Sequence, residues 1–270
     1  MNKQKNAADL PRYALILGSS SGFGGAAAVR LAKEGYDIFG VHLDRRATMP
    51  MAEEVIGKIE AAGQKAVFYN ANAADEEKRK EIVADIRRQI PPGDYIRVFM
   101  HSLAFGTLKP VIEKDPANAL NKANVEMTLD VMAHSLIYWV QELYWNDLLG
   151  HGSRVFAMTS HGSTNVVPMY GAVSAAKAAL ESYIRQLAME LRDVGATANA
   201  IKAGVTDTPA LRKIPGHERM IRTALGRNPA GRLTTPEDVA NAIVALSSIN
   251  AQWINGDVIS VDYGENIVDG

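Results

Sequence analysis

Two residues of this chain have the types and spacing of a proton-transfer pair. Tyr170 and Lys177 lie a seven-residue step apart in Tyr170-Gly171-Ala172-Val173-Ser174-Ala175-Ala176-Lys177, inside a run that reads as one helix from Met169 to Arg192. At about 100° per residue that step returns nearly to the same face, so both side chains are expected in one cleft. An ammonium beside a phenol favours phenolate and pulls the tyrosine below its ordinary value near ~10, which makes it a tuned proton donor. Ser160 stands ten residues earlier at the end of an apolar run. Its hydroxyl either polarises the same substrate oxygen, braces the tyrosine, or only caps the strand end. A Tyr and a Lys at helical spacing are also common on exposed faces, so the pair takes its meaning from what positions it.

Seven short apolar runs read as strands: Ala14 to Leu17, Ile38 to Val41, Ala66 to Tyr69, Ile96 to Met100, Val155 to Met158, Ala198 to Ile201 and Val258 to Val261. Between them lie helical patterns over about 22–34, 51–62, 76–89, 120–148, 169–192 and 236–248. The alternation predicts an α/β, Rossmann-type doubly wound fold, a seven-stranded parallel sheet with helices on both faces. Residues 1–11 read as a flexible polar tail and 12–270 as a single domain. One connection, about 205–228, is too long for a passive loop and carries Thr206, Thr208, Pro209, Pro215 and Gly216. It follows the carboxyl end of a strand, where open sheets bind ligands, and is expected to be a substrate lid.

The turn Gly18-Ser19-Ser20-Ser21-Gly22-Phe23-Gly24 joins the first strand to the first helix. Glycines there let the backbone approach a pyrophosphate, which then sits at the positive end of the helix. The same residues spell G-x-S-x-G, the nucleophile turn of serine hydrolases, although no oxyanion-hole loop accompanies it. The second strand runs into His42-Leu43-Asp44-Arg45-Arg46. An acid at that tip suits a ribose diol and arginines suit a 2′-phosphate, so Arg45 and Arg46 favour NADPH while Asp44 keeps NADH possible.

Composition narrows the field. The 270 residues carry a net charge of -1 with both signs interspersed, are 47% hydrophobic and contain no cysteine. That disfavours nucleic acid as a partner and excludes disulfides, thiol nucleophiles and cysteine-bound metals. The six histidines show no paired metal-ligand spacing, so no metal is expected. No stretch has the length of a membrane span, the start has no apolar signal region, and a cytoplasmic location is expected.

Taken together, from about Arg12 to Ile267, the chain resembles the short-chain dehydrogenase/reductase family. The glycine turn, Asn72-Ala73, Asn199-Ala200, Pro229-Ala230-Gly231-Arg232 before Pro236-Glu237-Asp238-Val239-Ala240, and Ile254-Asn255-Gly256-Asp257-Val258-Ile259-Ser260-Val261-Asp262 follow in family order. Most members place the tyrosine four residues before the lysine, where this chain has Val173. The Tyr-x6-Lys spacing, His101-Ser102-Leu103-Ala104-Phe105-Gly106 and Ala203-Gly204 are similar to the bacterial enoyl-acyl carrier protein reductases. Ser160 replaces the second tyrosine of many of these enzymes, as in a divergent branch. Met132 occupies the place of the helical asparagine that ketone-reducing relatives use to relay protons, which disfavours alcohol–ketone chemistry.

The resemblance implies reduction of a trans-2-enoyl thioester, carried by acyl carrier protein or coenzyme A, within fatty-acid biosynthesis. It implies catalytic Tyr170, Lys177 and Ser160, with Lys177 also on the cofactor ribose. Cofactor contacts would come from Gly18, Ser20, Gly22, Phe23, Gly24, Arg45, Arg46, Asn72, Ala73, Leu103, Gly204, Val205, Thr206 and Thr208. Ala104, Phe105 and Tyr170 would meet the substrate. It also implies a homotetramer. Arg212, Lys213 and Arg219 would receive the acidic face of a carrier protein, if they are more than solvated charges. The alternatives are a reductase of ketones, aldehydes or β-ketoacyl thioesters, and a nucleotide-binding regulator without turnover.

Overall fold

A computed structural model describes residues 10–269. Most of the expected tail, residues 1–9, lies outside the described residues. Leu10 and Pro11 do not belong to a loose tail, because both are buried at the start of the first strand.

The seven strands are β1 (Tyr13–Leu17), β2 (Asp37–His42), β3 (Ala66–Asn70), β4 (Ile96–His101), β5 (Arg154–Met158), β6 (Thr197–Ala203) and β7 (Val258–Val261). They form one parallel sheet in the order β3-β2-β1-β4-β5-β6-β7. The order reverses between β1 and β4, which opens the ligand crevice at their carboxyl ends. Both faces of the central strands are covered, so the strands read as unbroken apolar runs. In β1, Leu15 and Leu17 enter one core with Phe99, Trp139 and Leu180. Ala14 and Ile16 enter the other with Val98, Phe156 and Ile243. Each fully buried large side chain contributes roughly 1.5–3 kcal/mol of hydrophobic free energy.

The helices are α1 (Gly22–Lys33), α2 (Met49–Ala61), α3 (Glu76–Gln89), α4 (Lys122–Leu129), α5 (Ser135–Trp145), α6 (Gly171–Glu190), α7 (His217–Arg227) and α8 (Pro236–Ser247). Three differ from the sequence pattern. The run expected as one helix over 120–148 is α4 and α5 joined by a π turn, Asp130–His134. Tyr170 is not inside α6 but is its N-cap residue, with φ -101° and ψ 6°. The 205–228 segment contains a helix of its own, α7, whose signal was the pairing of Met220 with Ala224 and of Ile221 with Leu225 at four-residue spacing. Among the described residues no helix is long and apolar enough to cross a membrane.

Candidate active site

The glycine turn is shaped by close backbone approaches. Gly18 has φ +80°, and a Cβ there would lie 2.4 Å from the Ser102 carbonyl oxygen; one on Gly24 would lie 2.1 Å from that of Gly18. The Gly18 amide donates to Val41 O at 2.8 Å, tying the turn to β2. Ser21, the N-cap of α1, makes no side-chain capping bond. The leading amides of α1 are therefore left for an outside acceptor, and with the cradle of bare backbone they fit a pyrophosphate. Thr208 reaches this turn from the 205–228 segment, its methyl 3.9 Å from where a Cβ on Gly22 would stand.

At the tip of β2, the Asp44 carboxylate stands 2.8 Å from His42 Nδ1. Burial raises its pKa, but hydrogen bonding to Thr48, Ser20 and His42 outweighs this and holds it below the ordinary value. Ser20 and His42 both engage Asp44, so no histidine stands between serine and aspartate to act as base. The hydrolase reading of G-x-S-x-G therefore has no triad behind it. Arg45 and Arg46 are exposed just beyond. Asn72 is exposed and accepts from the Ala74 amide at 3.1 Å, an ordinary turn. Ala73 is buried, and its carbonyl accepts from Trp139 Nε1 at 2.8 Å. Trp139 thereby pins the loop after β3 to α5.

The catalytic candidates converge at the carboxyl ends of β4 and β5. Lys177 is buried and donates to Met158 O at 2.7 Å and Leu103 O at 3.4 Å. Its ammonium thus ties α6 to both strand ends. Burial lowers its pKa to about 8, with Glu181 pulling the other way. Glu181 lies one helical turn on and accepts from Thr159 Oγ1 at 2.6 Å. Ser160 Oγ accepts from the Gly162 amide at 3.1 Å, so it does cap the turn after β5. It also lies beside the phenol of Tyr170.

The expected lowering of Tyr170 by Lys177 is not found. Burial raises the Tyr170 pKa, and only hydrogen bonding with Ser160 acts against it. In the low dielectric of the cleft the phenolate is disfavoured, while Lys177 turns to backbone carbonyls. Tyr170 is set in place by its neighbour Met169, whose φ of +62° is unusual for a residue with a side chain.

The loop after β4 closes the site. Leu103 touches both halves, since its side chain lies 3.6 Å from the Cβ position of Gly18 and its carbonyl meets Lys177. Ala104 and Phe105 are exposed at the mouth. A Cβ on Gly106 would stand 2.7 Å from Thr128, 2.9 Å from Val173 and 3.0 Å from Met132 Sδ. Val173, in the usual tyrosine slot, and Met132 therefore form packed floor beneath the loop. His101 is fully buried, its Nε2 2.8 Å from Ser135 Oγ, which in turn donates to Val131 O at 2.8 Å in the π turn. Burial and the charge of Lys177 lower its pKa to about 3, so it is neutral. Thr206 is buried and donates to Gly204 O at 3.0 Å. Arg212 is held by Asp207 at 2.8 and 2.9 Å, while Lys213, Arg219 and Arg222 are exposed. Among the described residues no cluster suits a metal ion.

The comparisons agree with this geometry. Residues 18–266 match a family model described as enoyl-(acyl carrier protein) reductase. The chain belongs to the short-chain dehydrogenase/reductase family of NAD(P)-dependent oxidoreductases and resembles its enoyl-acyl carrier protein reductases. It is 25% identical over 98% of its length to 1-cyclohexenylcarbonyl-CoA reductase of Streptomyces collinus, covering 90% of that protein. Versicolorin reductase 1 of Aspergillus parasiticus is 25% identical over 94% of the chain and 95% of its own. The crystal structure of the NADH-dependent enoyl-acyl carrier protein reductase of Aquifex aeolicus superposes with a TM-score of 0.83 at 25% identity, covering 97% of this chain and 98% of that one.

Proposed function

We propose that the protein reduces the C2–C3 double bond of a trans-2-enoyl thioester with a reduced nicotinamide dinucleotide, NADPH by preference. The observation that carries this reading is the place of the phenol. Val173 is buried against Gly106, and Tyr170 stands about one turn earlier, at the N-cap of α6. That shift, about 4.5 Å along the axis, matches an oxygen one conjugated unit away from the carbon that accepts hydride. In a ketone the accepting carbon bears the oxygen itself.

Bound along Gly18 to Gly24, the nicotinamide cofactor supplies hydride to C3. As negative charge develops on the thioester oxygen, Tyr170 donates its phenolic hydrogen bond to it; a proton at C2 completes the reduction. The raised pKa of Tyr170 suits this role, because the proton stays on the donor until charge appears. Lys177 keeps the local potential positive and presents its remaining hydrogen to the cofactor ribose. Ser160 holds the phenol from the side. The 205–228 segment acts as a lid, with Thr206 and Thr208 over the nucleotide.

The exposed side chains of Arg45 and Arg46 support a 2′-phosphate, whereas Asp44 near Ser20 supports a ribose diol. We also propose a homotetramer, supported by exposed alanines 175 and 178 on α6 and checked by mass photometry. The second reading is a carbonyl reductase, supported by the contact of Ser160 with the phenol. Nicotinamide absorbance with crotonyl-coenzyme A, against acetoacetyl-coenzyme A, with NADPH and NADH in parallel, decides. Oxidation with the enoyl thioester alone is the expected result; oxidation with the keto thioester alone overturns it.

A further inference from the structure

One buried carboxylate grips both ends of the 205–228 segment. Glu265 follows β7 and is 4% exposed. Its Oε1 accepts from the amide of Val205, the first residue of the segment, at 3.1 Å. Its Oε2 accepts from Nδ2 of Asn228, the last residue, at 3.4 Å. Asn228 is itself 5% exposed, donates to Asp262 O at 3.2 Å and accepts from the Ala230 amide at 2.9 Å.

The surroundings are built for this carboxylate. Tyr263 and Gly264 are consecutive left-handed residues, with φ +50° and +80°, and they turn the chain so that Glu265 points back under the sheet edge. Asp262 secures that turn by accepting from the Gly264 amide at 3.0 Å. A Cβ on Gly204 would fall 2.9 Å from Glu265 Oε2 and 2.4 Å from Thr234 Oγ1, so only glycine leaves room for the carboxylate beside Val205. Both oxygens receive donors. A buried acid ordinarily avoids such a place, and burial does raise its pKa. The donors from Val205 and Asn228 and the nearby charge of Arg227 offset that cost.

We propose that Glu265 is a positioning residue: by tying Val205 to Asn228 it fixes the resting place of the 205–228 segment over the nucleotide turn, and so sets how long the nucleotide stays bound. This rests on the reading of that segment as a lid. Glu265 acts through the Val205 amide and the Asn228 side chain.

The donor–acceptor logic supplies its own control. Ala at 265 removes both acceptors. Gln keeps one acceptor and offers an amide hydrogen where the other was needed. Hydrogen exchange of the cofactor-free protein is read peptide by peptide, beside nucleotide release by stopped-flow fluorescence. In Glu265→Ala, exchange in 205–212 and 221–228 is expected to rise about tenfold, with β1 and β4 unchanged. Nucleotide release should quicken by about fivefold or more. Glu265→Gln, which keeps one acceptor, should fall between Glu265→Ala and the native protein. Unchanged exchange in the segment overturns the proposal, as does equal acceleration in β1 and β4. Faster segment exchange with unchanged nucleotide release also overturns it, and places the fault in the lid reading. The exchange measurement involves no turnover, so failure of the enoyl reading would not imitate any of these results.

Discussion

The ring of Tyr170 fills the space that a side chain at position 162 would need. A Cβ on Gly162 would lie 2.7 Å from ring carbons Cδ1 and Cε1. The turn that begins at Ser160 and the phenol it serves are thus packed as one unit, and Ser160 Oγ completes it by accepting from the Gly162 amide. Gly162→Ala should leave the fold intact, since this glycine has no left-handed φ, but must push the ring aside. We expect a fall in kcat of about 10- to 100-fold with nucleotide affinity unchanged. A fully active variant would show that the ring position is not critical.

Tyr170→Phe removes the phenol proposed to donate to the developing charge. The expected loss is about 10²- to 10³-fold in kcat, with cofactor Kd within about twofold of the native value. Equal turnover by the variant would assign the proton donor elsewhere.

Lys177 carries a pH signature. Its pKa is about 8 in the folded protein against 10.5 unperturbed. Between these values the unfolded chain holds more protons, so stability rises with pH across that window. Below about pH 8 the ammonium is charged in both states and its burial cost is present in full. Lys177→Met abolishes the slope. Wild-type stability relative to the variant should therefore climb by on the order of 3 kcal/mol from pH 7.5 to 10.5, read as urea midpoints. Parallel profiles would contradict the buried ammonium.

The proposed preference for NADPH rests on the end of β2. Arg45→Ala with Arg46→Ala should weaken NADPH by about tenfold or more and spare NADH. Asp44→Asn should move the ratio the other way, toward NADPH, by removing like-charge repulsion from a 2′-phosphate. The Kd of each nucleotide for each variant, by fluorescence titration, tests both. An NADPH affinity insensitive to the arginines would favour the diol reading.

All seven strands were legible because each is an apolar run with a clear turn behind it. Tyr170 was assigned to the helix because periodicity treats Met169 and Tyr170 as ordinary helical residues. The left-handed backbone of Met169 has no signature in residue type. The same blindness applies to the π turn at Asp130–His134, a phase slip inside an otherwise helical pattern. The direction of the Tyr170 shift was missed for a different reason. Spacing brings a lysine near a phenol but says nothing about the carbonyls of Met158 and Leu103, which claim its hydrogens. Trp139 and Glu265 act through partners distant in sequence, Ala73 in one case and Val205 with Asn228 in the other, and no local motif links them.

The reach of Thr208 to the glycine turn bears on the order of events during turnover. If a dinucleotide lies along Gly22, the 205–228 segment must lift for it to enter and again for it to leave. On the proposed reading, such gating favours an ordered sequence, dinucleotide first and acyl thioester second. It also lets departure of the spent dinucleotide, rather than hydride transfer, limit the steady state. A deuterium label on the transferred hydrogen would then slow a single turnover while leaving multiple turnovers almost untouched.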